Sequence, residues 1–128
     1  MKKLSLMILL LVGIANANTN ENNFLNENTS VNTYFNNVSP FCMSIIKGDF
    51  ETAKKLIEMG VDINAKSNGL TPVMYAAKYN RTEILKLLIE KGANLKSKDS
   101  KKGYTALKYA ELSNAIEAKV ILENALNA

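Results

Sequence analysis

From Ser39 onward the chain repeats itself. Ser39, Thr71 and Thr105 each open a block of similar residues, at spacings of 32 and then 34 residues. A period near 33 residues is typical of solenoids, in which no unit buries its apolar face alone and neighbouring units must stack. We therefore expect an elongated all-α stack of about three repeats, over residues 39–70, 71–104 and 105–128.

Each block predicts a helix, a tight turn and a second helix. In the middle block Thr71 is a good helix cap, and the leucine-rich stretch 84–89 gives the second helix a broad apolar face that ends at Gly92. Asn80 separates the two helices, and Gly48 and Asn114 hold the same place in the other blocks. All three tolerate a left-handed turn. The unit is thus a helix-turn-helix, and an Asn-Gly pair at 68–69 predicts a hairpin loop between units.

The amino terminus has the three parts of a secretory signal peptide. Lys2 and Lys3 precede an apolar run over 4–14, and Ala15-Asn16-Ala17 is a small-x-small cleavage site. The run of about 11 residues is shorter than the roughly 20 that cross a bilayer. We expect residues 1–17 to be a signal peptide cut after Ala17, with the product in the periplasm or secreted and without a stable membrane anchor.

Residues 18–38 are dominated by asparagine, a composition too polar to bury much surface. We expect a mostly disordered linker. Val31, Tyr34, Phe35 and Val38 interrupt the polar tract, so a second interpretation is that 31–38 order as a cap over the first repeat.

Composition argues against catalysis. The chain has no histidine, which removes the commonest general base and metal ligand together. Its one cysteine, Cys42, lies in an apolar stretch typical of a buried thiol. No phosphate-binding glycine loop, Cys-x-x-Cys pair or nucleophile elbow is present. We expect no enzyme, metal or cofactor, and a haem carrier with a tyrosine or Cys42 as ligand is the competing class.

Without Lys2 and Lys3 the net charge falls from +4 to +2, which does not favour nucleic acid as a partner.

Three segments resemble the ankyrin repeats: GVDINAK at 60–66, GLTPVMYAA at 69–77 and EILKLLIEKGAN at 83–94. The resemblance covers residues 39–126. It departs from the family where a histidine usually follows the Thr-Pro-Leu step, since Cys42, Met74 and Lys108 stand there instead. The loop-bracing hydrogen bonds of that histidine are then missing, and we expect looser loops.

The resemblance implies that a protein partner binds the concave face, which is formed by the first helices and the loop tips. Carried over position by position, the expected partner-binding residues are Met43, Lys47, Lys66, Tyr75, Lys78, Tyr79, Lys98, Lys101, Lys102 and Tyr109. Tyrosine and methionine anchor many interfaces, and the lysines would attract an acidic partner. The alternatives are tyrosines that only pack on neighbouring helices and lysines that only keep the loops soluble.

These observations predict a non-catalytic adaptor or scaffold that is exported, monomeric and bound to one protein partner. The resemblance leaves open an immunity protein against a secreted toxin. It also leaves open an accessory factor to a stress-defence enzyme such as a catalase, including haem handling, and a simple spacer within a longer complex.

Overall fold

The computed structural model describes residues 37–128. The predicted signal peptide, the linker up to residue 36, and all but the last two residues of the alternative cap lie outside the described residues. Residues 37–128 contain six α-helices: α1 Pro40–Lys47, α2 Phe50–Glu58, α3 Pro72–Lys78, α4 Thr82–Glu90, α5 Ala106–Leu112 and α6 Ile116–Asn127.

The helices form three antiparallel pairs that stack in chain order. The first helices α1, α3 and α5 pack side by side in one layer, and the second helices α2, α4 and α6 form the other. The only β-pairing within 37–128 is an isolated bridge between Ser67 and Leu70 in the loop before α3. The prediction of an all-α repeat stack is confirmed.

The turn within each pair uses the residues that the repeat register singled out. Gly48 has φ +71°, Asn80 +53° and Asn114 +54°, so each takes up the left-handed conformation that ends the first helix and starts the second. Glycine has a further reason at position 48, because a Cβ there would lie 3.2 Å from the Arg81 guanidinium.

The core is densest in the middle repeat, which has a neighbour on both sides. Every residue of α3 from Pro72 to Ala77 is buried, and Ile84, Leu85 and Leu88 of α4 are almost fully removed from solvent. Burying each such leucine or isoleucine contributes about 1.5–3 kcal/mol. Cys42 is also buried, as predicted, and its burial raises the pKa of the thiol.

Two adjacent turn residues of the middle repeat fasten it to both neighbours. The Arg81 Nε and Nη2 atoms donate to the Ile46 carbonyl of the first repeat, at 3.0 and 2.6 Å. Asn80 reaches the third repeat, where its Nδ2 donates to Glu117 Oε2 at 2.9 Å and its Oδ1 accepts from the Ala118 N–H at 3.1 Å. These hydrogen bonds join the middle repeat to both neighbours, in addition to the apolar packing between repeats.

Candidate partner-binding face

One side of the stack is made by the first helices and by the two loops that precede α3 and α5, and we call it the inner face. The first of these loops ends in a tight reversal at Asn68 and Gly69, with φ of +52° and +85°. This is the conformation that the Asn-Gly pair predicts. Ser67 and Leu70 exchange both backbone hydrogen bonds across it, at 2.8 and 3.2 Å.

The second loop is two residues longer and leans on the first. The Ser100 N–H donates to the Gly69 carbonyl at 3.0 Å, and Lys101 Nζ donates to Asn68 Oδ1 at 3.4 Å. The loop tips are therefore held beside each other, and their side chains form one continuous part of the inner face.

Tyr75 does not present its ring to a partner, contrary to the sequence prediction. The residue is only 4% exposed, and its hydroxyl donates to the Ser67 carbonyl at 2.7 Å. The reason lies in packing, because α3 is covered by α1 on one side and by α5 on the other. Tyr75 is thus a core residue that holds the first loop.

Tyr109, at the equivalent position of α5, holds the second loop in a different way. It is half-buried, and its hydroxyl donates to Asp99 Oδ2. Asp99 is itself only 6% exposed, and its Oδ1 accepts from the N–H groups of Tyr104 at 2.7 Å and Lys102 at 3.1 Å. One carboxylate therefore organises the whole loop.

The protonation of this pair follows from its contacts. Burial acts to raise the pKa of Asp99, but hydrogen bonds from the Tyr109 hydroxyl and from the backbone N–H groups of Tyr104 and Lys102 bring that pKa below its ordinary value. Burial and the hydrogen bond to the Asp99 carboxylate raise the pKa of Tyr109 far above its ordinary value. Asp99 is therefore ionised and Tyr109 neutral at neutral pH.

The expectation of unbraced, looser loops is corrected by these two tyrosines. The family's histidine is absent, but Tyr75 and Tyr109 place a hydroxyl on the loop that precedes each helix. For Tyr75 the alternative of packing on neighbouring helices is the one that the structure shows, whereas partner binding by the half-buried Tyr109 stays a prediction. Sequence reasoning missed the role of Asp99, for which the only signal was a single acid among four lysines in the longer loop.

The remaining predicted residues lie on the surface or near it. Met43 is half-buried, and the others are exposed: Lys47, Lys66, Lys78, Tyr79, Lys98, Lys101 and Lys102. Two of the lysines lie over aromatic rings, with Lys78 Nζ 5.6 Å from the Tyr79 centroid and Lys102 Nζ 5.7 Å from that of Tyr104. The inner face thus offers cations and ring faces together.

Tyr104 was not among the predicted residues, and it links the loop tip to α5. Its ring meets that of Tyr109 edge to face, with centroids 5.8 Å apart and an interplanar angle of 71°. The half-buried Tyr104 thus packs against Tyr109 and lies under Lys102, and an aromatic side chain that is already packed loses little conformational entropy on binding.

Residues 37–128 show no cluster of metal-ligating side chains and no helix that could span a membrane. Within that part of the chain no three His, Cys, Asp or Glu side chains cluster in a way that could hold a metal ion. None of its helices combines the length and apolar character needed to cross a membrane.

Comparison with known proteins identifies the architecture. The family model described as ankyrin repeats in three copies matches residues 2–99 and 41–127. The chain belongs to the ankyrin-repeat family. An ankyrin repeat protein of Borreliella burgdorferi is 37% identical over 59 residues, which are 45% of this chain and 27% of that protein. The mouse ankyrin repeat, SAM and basic leucine zipper domain-containing protein 1 is 36% identical over 55 residues, 42% of this chain and 12% of that protein.

The matched regions thus span about a quarter of the length of these relatives or less. Among solved structures, a chain from the complex of the predatory endopeptidase Bd0816 of Bdellovibrio bacteriovorus with the immunity protein Bd3460 is similar, with a TM-score of 0.65 and 32% identity. The similarity covers 69% of this chain and 47% of that one. Ankyrin repeats are protein-binding modules, and this neighbour was solved together with a partner protein.

Proposed function

We propose that this ankyrin-repeat protein is a non-catalytic module that is exported and binds one protein partner on its inner face. The observation that carries the proposal is the side-by-side arrangement of the two loop tips, which present exposed lysines next to the ordered ring of Tyr104. Rigid aromatic side chains and cations that need no rearrangement are the usual anchors of protein interfaces.

The charge of the inner face sets the chemistry of the partner. Lys66, Lys98, Lys101 and Lys102 are exposed on the two loops, against the single negative charge of Asp99, which is buried beneath them. The net field at the loop tips is therefore positive. It favours a partner with an acidic surface, and association should slow as salt screens the attraction.

A second candidate is an inhibitor or immunity protein against a secreted enzyme. The similarity to a chain of an endopeptidase and immunity-protein complex, at 32% identity, favours this over the catalase accessory role, for which nothing in residues 37–128 adds support. In that case the partner is the enzyme, and binding on the inner face would lower its activity.

The test is capture of a partner by the purified protein, followed by titration calorimetry with the captured protein. Charge reversal at Lys101 and Lys102 should weaken binding at least about tenfold, because both lysines meet an acidic surface. A matched control reverses Lys54 and Lys91, two exposed lysines on the side of the second helices. Equal loss in both variants would mean that only net charge matters, and unchanged binding in both would remove the inner face from the proposal.

Two further measurements separate the remaining parts. Assaying the captured protein with and without this one distinguishes an inhibitor, which lowers the activity, from an adaptor, which leaves it unchanged. Cell fractionation with amino-terminal sequencing tests export: the proposal expects a periplasmic or secreted protein that begins at Asn18, and an intact cytoplasmic chain contradicts it.

A further inference from the structure

The third repeat carries an exposed apolar patch on α6. Of the five large apolar side chains exposed within residues 37–128, Ile116 at 63% and Val120 at 49% lie one turn apart on α6 and line the same groove. We call Ile116 and Val120 the end patch. Clustered exposed apolar side chains are typical of an interaction site, whereas single ones need no explanation.

The surface around the end patch differs from its equivalents in the other repeats. Four positions of the repeat hold buried or partly buried apolar residues in the first and second repeats. The residues at these positions, first repeat then second, are Cys42 and Met74, Ile45 and Ala77, Ala53 and Leu85, and Ile57 and Ile89. The third repeat holds Lys108, Glu111, Lys119 and Glu123 there. A further repeat of the same kind would have to bury these four charges, so the surface is not suited to continue the apolar stack.

The four charges are loosely paired with each other. Glu111 lies 4.0 Å from Lys108 and 4.0 Å from Lys119, and Lys119 lies 3.8 Å from Glu123. Exposed pairs at such distances contribute little to stability, so these groups can exchange partners at small cost. The two signs are balanced, with two lysines and two glutamates.

A groove between α5 and α6 adjoins the end patch and completes the surface. It has a volume of about 350 Å³, and small residues, Ala110 and Ala115, lie along it beside Ile116 and Val120. Such a groove has room for a branched apolar side chain, and Glu111, Lys119 and Glu123 line it as well.

We propose that the end patch is a contact between two copies of this chain. A two-fold interface must be complementary to itself, since residue i of one copy meets residue j of the other and the reverse. The balanced charges meet this condition, whereas the lysine-rich inner face does not. With the two α6 helices antiparallel and centred near Ile121, each Lys119 faces Glu123 of the other copy, and Ile116 and Val120 approach the opposite groove.

The contact uses the outer side of α6 and the groove beside it, and none of the residues that line this groove is among those expected to bind a partner on the inner face. It replaces the sequence-based expectation of a monomer with a reversible dimer that has two inner faces available. It can therefore be tested without knowing the partner.

Sedimentation equilibrium of the protein, purified from cells that express the full chain, should show a dimer that dissociates on dilution. Val120→Glu should weaken the dimer at least about tenfold. In each copy a new carboxylate at position 120 then lies close to Glu123 and has to be buried in the contact. Met59→Glu is the matched control, since Met59 is 76% exposed and lies outside the end patch. A monomer at all concentrations, or a dimer that Val120→Glu leaves unchanged, would overturn the proposal.

A charge swap tests the antiparallel pairing directly. Lys119→Glu alone places two glutamates opposite each other, and Glu123→Lys alone does the same with two lysines, so each variant should be monomeric. Mixed together, the two variants should form a heterodimer, because every contact is again of opposite sign. Circular dichroism checks that each variant is folded, and a mixture that stays monomeric while both are folded contradicts the pairing.

Discussion

The two loops of the inner face occupy the same place in the repeat and are braced by tyrosines at the same position, yet their bonding differs. Tyr75 donates to a neutral acceptor, the Ser67 carbonyl, under a loop that closes at Asn68-Gly69. Tyr109 donates to the ionised Asp99, which also holds two backbone N–H groups of a loop two residues longer.

The difference shows what a longer, more charged loop requires. A two-residue hairpin closes through its own backbone, and bonds between neutral groups attach it to the first helices: the Tyr75 hydroxyl donates to the Ser67 carbonyl, and Ser67 Oγ accepts from the Ser39 N–H at 2.7 Å. The second loop closes through a single backbone bond, from the Asp99 N–H to the Tyr104 carbonyl at 2.9 Å, and its four lysines repel one another. A buried carboxylate with three donors supplies both the missing hydrogen bonds and a compensating charge.

The largest effect is expected for Asp99→Ala, which removes the acceptor of all three donors. We expect a loss of about 2 kcal/mol in the free energy of unfolding, within the usual range for leaving buried donors without a partner. Urea denaturation measures it. If Asp99→Ala lowered the free energy of unfolding by no more than Tyr75→Phe, the bonds that hold the two loops would contribute equally to stability. The contrast drawn between the loops would then be wrong.

A smaller effect is expected for Tyr75→Phe, which keeps the buried ring and removes the hydrogen bond to Ser67. The expected cost is about 1 kcal/mol in the free energy of unfolding, typical of one neutral hydrogen bond. Tyr79→Phe is the control, because Tyr79 is exposed and should cost almost nothing. In Tyr75→Phe the amide hydrogen of Leu70 should also exchange with solvent faster, because the loop is held less tightly. An unchanged exchange rate would show that Tyr75 does not hold this loop.

Acid should weaken the second loop and leave the first intact. The pKa of Asp99 is lower in the folded protein than in the unfolded chain, so its contribution is fully present above the unfolded pKa of about 4 and is lost as the pH falls through the folded value. The stability difference between the wild type and Asp99→Asn should therefore shrink below about pH 4. Tyr75→Phe should show no such narrowing, since its acceptor is a carbonyl.

The smallest signal is spectroscopic. The pKa of Tyr109 is raised, so the bond to Asp99 stabilises the fold below the unfolded value of about 10 and is lost as the pH rises further. In an absorbance titration the contribution of Tyr109 should appear only well above the ordinary tyrosine value of about 10. Asp99→Asn should bring that residue back towards the ordinary range, and an unchanged titration would mean that Asp99 does not set the pKa.

The repeat architecture could be predicted because it depends on short-range patterns. Gly48, Asn80 and Asn114 mark the turns by their backbone preference, and the leucines of 84–89 mark the buried helix face, so the register alone predicts the stack. The environment of Tyr75 could not be predicted in this way, since it depends on how closely α1 and α5 cover α3. Asp99 was missed for a similar reason, because its donors come from residues 102, 104 and 109 and meet only in the folded loop.

The hydrogen bonds of Asn80 and Arg81 to the neighbouring repeats have a consequence for the number of repeats that such an array can contain. Arg81 binds a backbone carbonyl, and in a duplicated middle repeat the equivalent carbonyl would be that of Lys78. Asn80 binds a backbone N–H and a glutamate, and the duplicate would offer the N–H of Ile84 and Glu83 in the same places. The middle repeat is therefore compatible with a copy of itself, so duplication of this one segment of the gene could lengthen the array without any further mutation.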